Sequence, residues 1–304
     1  MKTSFSIPRP GALLLLVSGL LAGALVHAQS VIVNDMFTGV SGSAQNGAAL
    51  GNYGWYFFNT SADGYAWRTD TAPGDATRLS GTVLSTTSGS RANTFAFRPF
   101  EPVTLGSIGE SIILELDFRS AGGTAGQLIV GLLDLATPPA TTILGGGQKA
   151  NPLVGATGVE YSQFLYSYSE RVYRYGTYSL NEAETGLTGM SVQKAGDYIS
   201  VGDNVDHHLV FTLTVVSTGL QVSASITETD GSTTTLANYV IESEAGSYTF
   251  DTLRLSTQGI SSPVYFDNIV ISTTAPIPEP AVTAAVAGAV LLAIALALRC
   301  RRQA

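Results

Sequence analysis

The stretch HLVFTLTVVSTGLQVSASIT, residues 208–227, decides the fold class. Leu209, Phe211, Leu213 and Val215 alternate with polar or β-branched neighbours. After Ser217-Thr218-Gly219 the alternation resumes at Leu220, Val222, Ala224 and Ile226. A period of two puts successive side chains on opposite faces of a strand, and Ser-Thr-Gly between two such runs predicts a hairpin turn. Amphipathic helices repeat at 3.6 residues, and nowhere between residues 29 and 275 does a long apolar run keep that spacing.

The same pattern continues outward. SIILELDFR (111–119) alternates Ile113, Glu115 and Asp117 against Ile112, Leu114, Leu116 and Phe118. QLIVGLLD (127–134) is a more fully apolar strand, and DTLRLST (251–257) and VYFDNIVIS (264–272) complete the series. Strands at this spacing, rich in Thr, Val, Tyr and Phe, predict an all-β antiparallel sandwich. Residues 145–147 and 181–196 read as longer loops, the second with room for one short helical turn. No internal repeat occurs, and the only linker is 273–280.

Both ends differ from this body. Lys2 and Arg9 precede the apolar run GALLLLVSGLLAGALV (11–26), and Val26-His27-Ala28 places small residues at the positions a signal peptidase inspects. This predicts a secretory signal over 1–28, cleaved between Ala28 and Gln29. At the other end, residues 281–298 are 18 uncharged residues. At about 1.5 Å per residue they span about 27 Å, against a bilayer core of about 30 Å, which predicts a transmembrane helix. Arg299, Arg301 and Arg302 follow in a basic tail, 299–304, that the positive-inside rule keeps cytoplasmic. The expected order is therefore signal 1–28, sandwich 29–272, linker 273–280, helix 281–298 and tail 299–304.

The exported part carries ten Lys and Arg against 22 Asp and Glu, a formal charge of −12. That acidity argues against nucleic acid or anionic lipid as a partner of the sandwich. The only cysteine is Cys300, so residues 29–275 have no disulfide and no thiolate metal site. Stability has to come from a buried apolar core.

Two resemblances follow. Pro278-Glu279-Pro280, then an apolar helix, then clustered arginines resembles the PEP-CTERM sorting signal of exopolysaccharide-producing Gram-negative bacteria. That resemblance implies an exosortase and the secretion machinery as partners, a passage through the membrane, and a destination at the cell surface or in extracellular matrix, as in a biofilm. The alternative is a simple membrane-anchored structural protein. VNDMFTG (33–39), ILELDFRS (113–120), DHHLVFTLTV (206–215) and YFDNIVIS (265–272) together resemble a concanavalin A-like, LamG-type jelly roll. A galactose-binding-like jelly roll is the alternative fold.

Jelly rolls of this kind include family-16 glycoside hydrolases, whose strand E-x-D-x-E sets alternate carboxylates on one face for retaining hydrolysis. Here the strand reads Glu115-Leu116-Asp117-Phe118-Arg119, and an arginine cannot donate a proton at neutral pH. We therefore expect Glu115, Asp117 and Arg119 to form a charged solvent face and the protein to be no enzyme. A polysaccharide hydrolase or lyase with another site is the alternative. His207 and His208, being adjacent on a strand, point to opposite faces and cannot grip one ligand. No phosphate loop, dinucleotide fingerprint or zinc helix is present.

QFLYSYSERVYRYGTYSL (163–180) offers the aromatic signal. Tyr166 with Tyr168, and Tyr173 with Tyr175, would share strand faces either side of a turn at Ser169-Glu170, as a tyrosine platform for stacking on extracellular polysaccharide. Packing inside the sandwich is the competing reading, and it is the one favoured for Trp55 and Trp67. No cofactor is expected beyond a structural calcium. Asp35 near the first strand and Asp267 with Asn268 in the last offer oxygen ligands for it, if the terminal strands are neighbours. Turn capping by those side chains is the other reading.

Overall fold

The computed structural model describes residues 29–37, 54–59, 67–86, 94–121, 127–135, 153, 155–164, 172–178, 187–188, 204–242, 247–258 and 262–274. By compactness the chain divides into Met1–Gln29 with Thr274–Ala304, and Ser30–Thr273. The leader, the tail helix and the Pro278-Glu279-Pro280 motif lie outside the described residues, as do Tyr166 and Tyr168. Among the described residues no helix is long and apolar enough to cross a membrane.

Fifteen strands make up the described fold: β1 Gln29–Asp35, β2 Tyr56–Asn59, β3 Trp67–Thr71, β4 Thr82–Thr86, β5 Thr94–Leu105, β6 Ser111–Ser120, β7 Gln127–Asp134, β8 Thr157–Phe164, β9 Val172–Tyr178, β10 Leu187–Thr188, β11 Asp206–Val216, β12 Gly219–Thr227, β13 Thr233–Glu242, β14 Tyr248–Gln258 and β15 Val264–Thr274. They form two sheets. The first runs β13-β12-β11-β6-β15-β4-β3, with β1 also on β15, and the second runs β10-β9-β8-β7-β14-β5-β2. The architecture is the antiparallel two-sheet sandwich expected from the alternation. A two-residue strand, β10, stands inside the 181–196 segment, where the sequence suggested a helical turn.

The hairpin at 208–227 forms with Val216 opposite Gly219 and Leu209 opposite Ile226, turning on Ser217 and Thr218. Gly219 begins the return strand at φ 144°, a conformation glycine adopts without a Cβ clash. Leu209, Phe211, Leu213, Leu220, Val222 and Ile226 are all buried in the core between the sheets. Burying one such side chain stabilises by about 1.5–3 kcal/mol, so a one-residue slip of register would turn this whole row outward. Facing them from the second sheet are Val130, Leu132, Val159, Tyr161, Leu253 and Leu255. Tyr161 and Phe211 stack across the gap with centroids 6.2 Å apart. Trp55 and Trp67 are core residues, 1% and 2% exposed.

In β15 the alternation breaks. Val264 and Phe266 face the core, and so do Ile269 and Ile271, which leaves two residues where one is due. Asn268 takes φ 50° there. An extra residue of this kind is a β-bulge, which puts two neighbouring side chains on one face. Tyr265 and Phe266 pair with β4 just before it. Asp267 and Asn268 both turn to the outer side.

Candidate functional site

The bulge lies under a strap, residues 72–81, that leaves the sheet edge between β3 and β4. Its neck is closed by Ala72 N–H donating to the Gly81 carbonyl at 2.9 Å. Two buried aspartates hold it through backbone donors. Asp206 Oδ2 accepts from Arg78 N at 2.7 Å and from Thr77 N, with the Thr77 hydroxyl at 3.2 Å. Asp267 Oδ2 accepts from Ser80 N at 3.0 Å, and its other oxygen from Asn268 N at 2.9 Å. Arg78 reaches the Glu228 carbonyl at 3.1 Å, so the strap crosses the sheet to the β12–β13 turn.

The register explains what lies beneath. Arg119 stands opposite Asp206, and Asp117 opposite His208, so all four point to one outer face. Arg119 bonds Asp75 of the strap at 2.7 Å and Asp206 at 3.4 Å. Asp117 accepts from Asn268 Nδ2 at 2.8 Å, and its other oxygen lies 2.9 Å from His208 Nδ1. His208 Nε2 sits 3.6 Å from Glu115. Asp117 and Arg119 are therefore 7% and 5% exposed, which corrects the expected solvent face. Alternation alone marks the outward side of a strand, and it carries no information about a loop folded over that side. His207 does point the other way, buried against Phe118 at 5.3 Å between ring centroids.

Burial and hydrogen bonding act on these groups in opposite directions. Asp267 is pushed above the ordinary carboxylate range by burial, and the neighbouring Asp117 charge adds to this while its two backbone donors oppose it. Asp75, exposed at the far end, is held below that range chiefly by its bond to Arg119. Outside the strap, Asp35 is raised by burial, against the pull of Arg98 and the Trp55 N–H.

The residues suggested for calcium divide between two places. Strands β1 and β15 are neighbours, as the reading required. Asp35, however, accepts from Trp55 Nε1 and pairs with Arg98, both at 2.8 Å, whereas Asp267 and Asn268 serve the strap through Ser80 N and the Arg78 carbonyl. Among the described residues no group of three or more His, Cys, Asp or Glu is placed to hold a metal. Of the tyrosines, Tyr173 and Tyr175 fall on β9, opposite Tyr161 and Val159, which are core residues.

Asp75, Arg78 and Asp206 escaped the sequence reading. A signal for one of them existed: Asp206 and His208 alternate on β11 as Asp117 and Arg119 do on β6. Only the register makes those two alternations face each other.

No protein-family profile matches the chain, and no curated protein sequence matches it. Among solved structures it is similar to a Bauhinia forficata lectin in complex with GalNAc, at 13% identity over 82% of this chain and 99% of that one, TM-score 0.37. It is also similar to a Bacillus subtilis protein of galectin-like fold, at 11% identity over 83% and 100%, TM-score 0.47. The carbohydrate recognition domain of Emp46p in its potassium-bound form is a third, at 14% identity over 82% and 97%, TM-score 0.44.

Proposed function

We propose that this chain is an exported protein of a Gram-negative cell surface or extracellular matrix, sorted by an exosortase through its C-terminal segment, whose sandwich binds glycan and catalyses no reaction. The observation that carries the sorting reading is the order Pro278-Glu279-Pro280, 18 uncharged residues, then Arg299, Arg301 and Arg302. As a helix, 18 residues would be long enough to enter a bilayer, and the arginines would hold it in one orientation while the motif is read. What supports the absence of catalysis is the state of the one strand that resembles a hydrolase motif. Asp117 is engaged by Asn268 and His208, and Arg119 occupies the acid/base position with its charge shared between Asp75 and Asp206.

Expression of the full-length chain in matched hosts with and without an exosortase tests the sorting. Release from the membrane fraction is expected only with the enzyme, and Glu279→Ala is expected to block it. Identical distribution in both hosts would make the segment a plain anchor. Incubation with matrix polysaccharides tests the rest: binding without new reducing ends is expected, and their release would overturn the non-catalytic reading.

A further inference from the structure

Strand β3 ends the first sheet's path, and its outward residues are Arg68 and Asp70. Arg68 stands opposite Ser85 of β4, and Ser85 opposite Tyr265 of β15. Residues directly opposite in antiparallel strands share a face. Arg68, Ser85 and Tyr265 are therefore one outward row. The opposite face of the same strands is core, where Trp67 stacks on Phe266 at 5.6 Å.

The chemistry of this row differs from that of the strap cluster beside it. Arg68 and Asp70 bond at 2.6 Å, yet each side chain is about 30% exposed. Tyr265 is partly exposed in the middle of the sheet's outer face. Burial raises the pKa of its phenol, the Asp70 charge adds to this, and the Arg68 and Arg119 charges oppose it. Beneath lie two polar atoms without a hydrogen-bond partner among the described residues, Ser85 Oγ and Arg68 Nε. Buried polar atoms in folded proteins are seldom left so, and here two fall at a single cross-strand pair.

We infer that Tyr265, Arg68 and Asp70 form a subsite for an uncharged pyranose unit of a polysaccharide. A tyrosine presents an apolar ring to the C–H face of a sugar and a phenol at its tip for hydroxyl contact. A sugar hydroxyl both donates and accepts, so adjacent hydroxyls satisfy the Asp70 carboxylate and the Arg68 guanidinium at once. A charged unit gains no such match. The guanidinium is already neutralised by Asp70, and an anionic sugar would meet that carboxylate and a sandwich of formal charge −12. Because β3 is the end strand, a polymer can cross the site without threading between strands.

This inference rests on the glycan-binding reading, and the experiment separates the two. The full-length chain is titrated with laminarin, mannan and pullulan as neutral probes, and with alginate and polygalacturonate as anionic ones. Binding to at least one neutral glycan is expected, weakened about tenfold or more by Tyr265→Ala and less by Tyr265→Phe, which keeps the ring. Arg68→Gln and Asp70→Asn are each expected to weaken it severalfold. Unchanged thermal midpoints confirm that the variants are folded. If Tyr265→Phe and Asp70→Asn are folded and Tyr265→Ala is not, the two folded variants decide alone. Wild-type binding indifferent to these changes, or lost instead in Tyr173→Ala, overturns the subsite and leaves the glycan reading standing. A preference for the uronate polymers overturns the uncharged class. No binding to any probe overturns both.

Discussion

On the outer side of the second sheet, Arg254 and Glu160 form an ion pair in which each side chain is 1% exposed. On the outer side of the first, Arg119 divides its charge between Asp206, 1% exposed, and Asp75, 76% exposed. The first of these pairs is sealed by its neighbours. Gly131 sits directly between the partners in the ladder, opposite Arg254 on one side and Glu160 on the other. Its missing side chain lets the ion pair close over it, and a Cβ there would lie 2.9 Å from Glu160 Cγ. The guanidinium also stands 5.1 Å from the Phe95 ring centroid, in a second apolar cluster with Phe97, Leu133, Leu135, Leu153 and Ala156. The first sheet's charges instead run from the buried sheet surface out through a strap to water. A sealed pair can only hold the fold, whereas a graded one keeps a polar surface open beside Tyr265.

Removing one partner of the sealed pair should have the largest effect, since it strands a buried charge. Glu160→Ala is expected to cost about 3–5 kcal/mol in urea unfolding, and Glu160→Leu with Arg254→Met to restore most of it. If the single variant loses no more than a surface change would, the two faces are not different in kind. On the first sheet Asp206→Asn should cost less, about 1–3 kcal/mol, because one oxygen still accepts from the strap. Its signature is local: faster amide exchange and proteolysis within 72–81, with the core unaffected.

A third effect is smaller and depends on pH. Asp267 and Asp35 have raised carboxyl pKa values in the folded chain, so the folded state holds these protons more tightly than the unfolded one. Their contribution is fully present below the ordinary value of 3.8 and is lost as pH rises through the raised values. Asp267→Asn should therefore flatten the decline of the urea midpoint over that window. Asp75 has the opposite sign, since its lowered value makes a contribution present above 3.8 that disappears as pH falls through it. Asp75→Ala should give the smallest shift of the series, because the carboxylate is exposed and Arg119 keeps Asp206. A shift for Asp75→Ala as large as that for Asp206→Asn would show that the strap is held from its exposed end.

Much of the sandwich is legible in the sequence. QLIVGLLD is β7 to the residue, and the 208–227 hairpin forms where the alternation places it. Strands β2, β3 and β4 were missed because they are four or five residues long, too short for a period to emerge, and the longer β5, interrupted by Pro99 and Pro102, β8 and β13 were missed as well. The candidate sites were less legible. The E-x-D-x-R strand drew attention to Asp117 and Arg119, but nothing in it announced Asp75, 42 positions before Asp117. Tyr265 passed as one of many strand aromatics until the register set it beside Ser85 and Arg68.

Period-two alternation by itself determined an all-β sandwich, because only strands hide every second side chain. The absence of cysteine from residues 29–275 left apolar burial to stabilise it, and the order of charges and apolar residues at the two ends marked export and sorting as the expectation. Only the tertiary structure decided which outward residues are truly outside. A loop folded over a sheet and a glycine beneath an ion pair change the exposure of residues dozens of positions away. Hydrophobic periodicity records which face of a strand is turned inward, and it does not record what later comes to lie on the other one.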